Sequence, residues 1–173
     1  KYGHRVLTSS YLTPETRVMW DRQVAARIQK IAPFLMLDGD HYKVVRKDGT
    51  LWYLQDAYTT NTHYPYSQPV SRSGANYFRN SVKIAVDAYN GTVTFYVFDA
   101  ECPVLKTWQK IFPSLFKPAS EMPADLREHC RYPQDLLALQ SQVFAEYHMD
   151  DPRTFYNKED TWQLAEEKVG DQM

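Results

Sequence analysis

The sequence predicts an α+β fold: an antiparallel sheet of about four strands in two hairpins, packed by an N-terminal helix and several C-terminal helices. Three observations carry this. Residues 76–99 alternate around Asn90-Gly91, as a β-hairpin does. A second alternating pair flanks Asp48-Gly49. After Asp99 the apolar period lengthens from two to nearly four, the spacing of a helix. The expected layout is a helix over 14–32, a sheet over about 41–99 and a helical part over about 102–165, all in one domain.

At the N-terminal end, Thr13-Pro14 offers a hydroxyl N-cap followed by proline in the first turn. Trp20, Val24, Ile28 and Ile31 then recur on one helical face, and Pro33 ends the pattern. Phe34 to Leu37 form a short apolar run into Asp38-Gly39-Asp40, read as a turn. The first hairpin pairs Tyr42–Lys47 with Thr50–Tyr58 across a two-residue Asp48-Gly49 turn. Thr59 to Ser81 is read as a long loop rich in Thr, Asn, Ser, Pro and Tyr.

In the second hairpin a two-residue type I′ turn at Asn90-Gly91 pairs Ala88 with Val93, Val86 with Phe95 and Ile84 with Val97. Val82, Ile84, Val86, Ala88, Val93, Phe95 and Val97 then form a core face. The opposite face, with Ala85, Tyr89, Tyr96 and Phe98, is half apolar and must be covered by the chain's own helices or by a partner. Val104, Trp108, Ile111 and Phe112 mark a helix opened by Pro103, and a short helix runs from Pro123 to His129. A longer helix from Pro133 turns Leu136, Leu139, Val143 and Tyr147 inward, with Leu137 and Phe144 at its margin. Asp151-Pro152 opens a last short helix, and the polar tail beyond Ala165 is expected to fray.

Composition narrows the function class. The 173 residues carry a net charge of −1, which argues against a nucleic-acid binder. No apolar run reaches the length of a membrane span, no signal peptide is visible, and the chain begins at Lys1; it reads as a segment excised from something longer. Thirteen tyrosines suit half-exposed sheet faces and binding surfaces. Cys102 and Cys130 show no metal-ligand spacing; they are either a disulfide pair or two buried free thiols. Neither a nucleotide-binding glycine pattern nor a nucleophile elbow occurs, and no cofactor is expected.

The ordered motifs RIQKIAPFLMLDGDHY (27–42), LWYLQDAYTT (51–60), YPYSQ (64–68), NYFRNSVK…DAYNG, IFPSLFKP (111–118), LREHCRYPQDL (126–136) and YHMDDPRTFYNKEDTW (147–162) together resemble an uncharacterised bacterial family of large multi-span membrane proteins. The resemblance covers about residues 12–162. It implies a location in the cell membrane for the full-length protein, with this segment in a soluble, extracytoplasmic portion. It supplies no activity, substrate or catalytic residue. Three positions depart from the family's wording: His41 replaces a proline, Cys102 replaces an aspartate that would cap the following helix, and Cys130 replaces an apolar residue. The strand-turn-strand units are also similar to small extracytoplasmic PepSY and cystatin-like modules, where a helix packs on a curved antiparallel sheet.

Asp-Ala-Tyr occurs twice, at Asp56 to Tyr58 and Asp87 to Tyr89. Each aspartate either accepts from a cross-strand threonine or a loop amide, or joins the other in one site, as acid and base or as a cation site; an enzyme reading adds His63. The loop from Tyr58 to Ser67, with His63, Tyr64 and Tyr66, is the best candidate binding surface, since its tyrosines could stack on a sugar or grip a peptide. Arg79 is expected to tie that loop to the sheet or to meet an acidic ligand. Asp38-Gly39-Asp40-His41 is too compact for a calcium loop, and the five histidines show no metal-binding pair. The ligand-binding candidates are therefore Asp56, Tyr58, His63, Tyr64, Tyr66, Arg79 and Asp87, with no catalytic or metal-binding residue assigned. The expected function is a non-catalytic extracytoplasmic interaction domain. Its partners would be the rest of its own membrane-embedded chain, another protein or an envelope polymer. The alternative is an envelope hydrolase or transferase built on Asp56 and Asp87.

Overall fold

The structure, a computed structural model, describes residues 8–70 and 74–165. Among them are five α-helices and five strands that form one sheet in the order β1-β2-β3-β4-β5. The strands are β1 (Met36–Val45), β2 (Leu51–Asn61), β3 (Tyr77–Asp87), β4 (Val93–Val97) and β5 (Phe116–Pro118). The helices are α1 (Val24–Ile31), α2 (Pro103–Ile111), α3 (Ala124–Glu128), α4 (Gln134–Tyr147) and α5 (Pro152–Asn157). The α+β class holds. The first four strands form an antiparallel meander, and β5 joins parallel to β4 after a crossover through α2. This fifth strand lies in IFPSLFKP, whose two prolines obscure any strand pattern; an edge position tolerates Pro118 at the strand's end.

Both faces of the sheet are covered. Val82, Ile84, Val86, Phe95 and Val97 pack with Val24 and Ile28 of α1 and Leu105 of α2. On the reverse, Tyr42, Val44, Leu54, Ala85 and Tyr96 pack with Met122 and with Leu126 of α3, and Phe98 and Cys130 lie against them. The half-apolar outer face of the second hairpin is thus covered by the chain's own helix, except at Tyr89, which stays exposed. Cys102 and Cys130 are free thiols packed into these two separate clusters, so they do not pair.

Both hairpin turns differ from the two-residue form. At the first, Gly49 N–H donates to Arg46 O at 2.9 Å and Gly49 has φ +82°, while Val45 pairs with Leu51. This is a three-residue loop: a type I turn followed by a left-handed glycine. At the second, Val86 pairs with Val93, Ile84 with Phe95 and Val82 with Val97, two residues from the expected register. The Asp87 carboxylate accepts from the amides of Tyr89 (2.8 Å) and Asn90 (3.0 Å), and Gly91 N–H closes on Asp87 O at 2.8 Å. The chain makes one helix-like turn capped by its own aspartate, and only Gly91 takes a positive φ. A shift of two keeps every paired side chain on its face, so the predicted core survives except at Ala88, which leaves the ladder for the turn.

Helix α1 starts at Val24 rather than near Pro14. Thr13 closes a single turn with Thr16, and Asp21 takes a left-handed φ of 50° that interrupts any helix through it. Arg27 instead donates to Trp20 O at 2.6 Å, holding the preceding segment back along α1. Trp20 and Ile31 are therefore exposed, while Val24 and Ile28 are buried as expected. In α2 the buried residue is Leu105, off the stripe that was read, and Cys102 stands at the N-cap without a side-chain cap. The strands also run further than the sequence suggests. Thr59–Asn61 pair with Tyr77–Arg79, so the connection spans residues 62–76 instead of 59–81. Asp38-Gly39-Asp40 is a bulge inside β1, not a turn, and Gln55 Nε2 donates to Asp38 O at 2.8 Å across it. The tail beyond Ala165 lies outside the described residues.

Candidate functional site

The bulge in β1 turns the Asp38 side chain into a buried position, 4% exposed, where it meets the start of α4. Its carboxylate accepts from the Asp40 amide (2.9 Å), the Asp135 amide (3.0 Å) and, in a short bond, the Tyr58 hydroxyl. Asp135 answers by accepting from Gly39 N–H at 2.7 Å. Two aspartates thus exchange backbone hydrogen bonds between a strand and a helix N-terminus, where negative charge is favoured. Burial, and then the bond to Asp38, push the Tyr58 pKa well above the ordinary tyrosine value.

A second polar knot lies on the α3 face. Asp56, 3% exposed, accepts from Asn80 Nδ2 at 3.0 Å and from Lys83, which is directly opposite it in the sheet. Lys83 Nζ also donates to Arg131 O at 3.0 Å. Tyr42 donates to His129 O (3.2 Å) and accepts from the Arg131 amide (3.1 Å), with the Arg131 guanidinium 4.5 Å from its ring centre. Burial pushes the Tyr42 pKa up to about 12. Together these groups fasten the link between α3 and α4 to the sheet.

The two Asp-Ala-Tyr aspartates do not converge. Asp87 lies opposite Trp52 and Asp56 opposite Lys83, four residues apart along β3 and so separated by roughly 13 Å of strand. Asp87 is committed to its turn: burial pushes its pKa up, but the amides of Asn90 and Tyr89 outweigh this and hold it below the usual value. His63 is exposed, with Nδ1 2.8 Å from the Thr62 hydroxyl. Tyr64 stacks on Tyr77 at 5.3 Å, and Tyr66 is fully exposed with φ 56°. Arg79 forms an ion pair with Asp99 at 3.4 Å. Among the described residues no group of three or more His, Cys, Asp or Glu side chains could hold a metal ion.

Asn76 organises the 62–76 connection and was missed in the sequence. Its side chain accepts from Tyr64 N–H (3.0 Å) and donates to Tyr64 O (2.8 Å) and Ser67 O (3.1 Å). An asparagine just before a strand, facing a polar loop, was the available signal.

This connection also flanks an open groove of about 840 Å³. Its floor is Phe78 and Val70, one wall is α4, and the other is the segment Trp162–Leu164. Trp162 N–H donates to Ala145 O at 3.1 Å, and its ring stacks on His148 at 3.8 Å. Helix α4 was expected to bury Leu136, Leu139, Val143 and Tyr147, yet no residue of α4 is buried. Leu136 and Leu139 are half-buried, whereas Val143 and Tyr147 are exposed along with Leu137 and Phe144. The first turn of the helix is tied to β1 beside Asp38, and Leu136 and Leu139 lie with Phe78 of β3 along the groove.

The model of the uncharacterised protein family UPF0182 matches residues 2–173. Relatives include UPF0182 proteins of Desulforamulus reducens, 49% identical over 98% of this chain, and of Geobacter sp. strain M21, 52% identical over 92%. Another, from Bradyrhizobium diazoefficiens, is 50% identical over 95%. In each case the match takes up 18% of the relative's own length. No solved structure matches this chain. No helix among the described residues is long and apolar enough to cross a membrane. The chain is a segment of a larger protein and belongs to the uncharacterised protein family UPF0182.

Proposed function

We infer that this segment is a non-catalytic interaction domain, situated outside the cytoplasm in a longer membrane protein. The observation that carries the reading is the apolar face of α4, which faces water beside an open groove although its sequence is patterned for burial. The polar groups with catalytic potential have other work. Asp38 and Asp135 fix α4 to β1, Asp56 neutralises Lys83, and Asp87 caps a turn. The tyrosines that do face outward, Tyr64 and Tyr66, sit with His63 on the connection that borders the groove through Asn76. They extend the contact surface with stacking groups suited to a protein or an envelope polymer.

Two measurements test this. An alkaline phosphatase fusion placed after Trp162 in the full-length protein is active if the segment lies outside the cytoplasm, and an inactive fusion refutes that assignment. Leu137→Asp combined with Phe144→Asp should reduce the protease resistance of the full-length protein, because a charged face cannot be covered by an apolar partner. Unchanged resistance would remove α4 as an interaction surface.

A further inference from the structure

The interaction reading leaves the occupant of the α4 face open, and its identity rests on that reading. We propose that the face and groove are the docking site for an apolar segment of the same polypeptide, drawn from the part of the full-length chain outside these residues. The relatives are more than five times the length of this segment, so most of the polypeptide that could pack here is covalently attached to it. The chain itself already forms one wall. Trp162 is hydrogen-bonded to Ala145, and Trp162 and Leu164 remain half exposed on the groove side, at 51% each. A wall made by the chain's own backbone places neighbouring segments at high effective concentration over the opposite wall, which favours a tethered occupant over a free one.

The chemistry of the groove describes what fits. Leu139, Val143, Phe144 and Tyr147 offer an apolar strip along α4, and the polar residues of the lining, Asn76, Gln140, Ser141 and Gln163, are uncharged. Glu146, on the adjoining recess that shares Ala145 and Trp162–Leu164, is not in this lining and is paired with Lys158 at 2.5 Å. An uncharged, apolar helix or extended segment completes such a site, whereas a basic or acidic peptide finds no counter-charge in it.

The test uses the purified full-length protein. Phe144→Cys and, separately, Lys47→Cys are labelled with a water-soluble maleimide, with the parent protein measuring the background from native cysteines. Lys47, a charged residue of the first hairpin loop whose side chain is 75% exposed, serves as the open reference. In the monomeric fraction Phe144→Cys is expected to label more slowly than Lys47→Cys by about tenfold or more. A photoreactive phenylalanine at position 144, in protein mixed from light- and heavy-nitrogen copies, is expected to cross-link within single copies to residues outside this segment. Equal labelling at the two positions overturns both this proposal and the use of α4 as an interface. Protection confined to oligomers, mixed-isotope cross-links or adducts with another protein overturn this proposal alone and leave the interaction reading standing.

Discussion

Lys83→Met gives the sharpest test of how the interior is balanced. Lys83 and Asp56 are 9% and 3% exposed and face each other across β2 and β3. Removing the ammonium leaves a buried carboxylate with only the Asn80 amide as a side-chain donor at 3.0 Å. Breaking one partner of a buried pair costs about 3–5 kcal/mol, most of it the desolvation of the charge left behind. Adding Asp56→Asn removes that charge. What remains lost is the bond from Lys83 to Arg131 O, worth about 1 kcal/mol, so the double variant should cost only about 1–2 kcal/mol. The assay is urea unfolding of the 173-residue chain followed by tryptophan fluorescence. With a slope near 2 kcal/mol per molar, Lys83→Met should lower the midpoint by roughly 2 M, and the second substitution should restore more than half of that. If the two substitutions add, or if Lys83→Met moves the midpoint by less than about 0.5 M, the pair is not the buried, mutually dependent unit described above.

Three further outcomes follow from named contacts. Gly91→Ala should cost more than Gly49→Ala: both glycines have positive φ, a strain of about 1 kcal/mol for alanine, but a Cβ at Gly91 would meet Arg27 Nη2 at 2.6 Å and displace a guanidinium that donates to Trp20 O and Asp21 O, while Gly49 faces open space. Equal melting temperatures for the two variants would contradict this. Stability should decline as pH rises above about 10, the ordinary tyrosine value, because the unfolded chain ionises Tyr42 while the folded chain holds it neutral up to about 12; tyrosinate absorbance from Tyr42 should appear late, and Tyr42→Phe should flatten the decline. At the acid end, hydrogen bonds from Thr154 and Arg153 hold Asp151 below its ordinary value, and Arg46 does the same for Asp125. The unfolded chain therefore binds these protons first, and stability should fall as pH drops below about 4. Asp151→Asn should weaken that slope, and an unchanged acid transition would remove the cap from the account.

The parts of the fold legible in sequence were those fixed by local alternation. The core face of the second hairpin was identified correctly even though its register was misplaced by two, because strand periodicity assigns a face irrespective of which turn closes it. The turn itself was misjudged because Asn90-Gly91 satisfies a type I′ pattern while Asp87, three residues earlier, can cap a longer loop. Nothing in the alternation distinguishes the two. Strand β5 and the second covered face were illegible for another reason. They depend on which residues 111–130 return to the sheet, and proline-rich wording records where the chain bends, not where it goes.

Helix α4 makes the corresponding point about the candidate site. Its spacing of Leu136, Leu139, Val143 and Tyr147 was read as a buried stripe, and in this segment it is not buried. The pattern and the exposure are reconciled if the stripe was selected in a longer polypeptide, since periodicity reports the environment of the whole protein. The same argument explains why the loop candidates were easier to name than to assign. Tyr64, Tyr66 and His63 are outward by composition alone, whereas Asp56 and Tyr58 look equally available in sequence and are in fact consumed by Lys83 and Asp38. Those partners are 27 and 20 residues away, on other strands, and only the sheet register brings them together. In this chain, then, an apolar stripe without a lid is stronger evidence of function than a carboxylate without a visible partner. Among the described residues the carboxylates found partners, and the stripe did not.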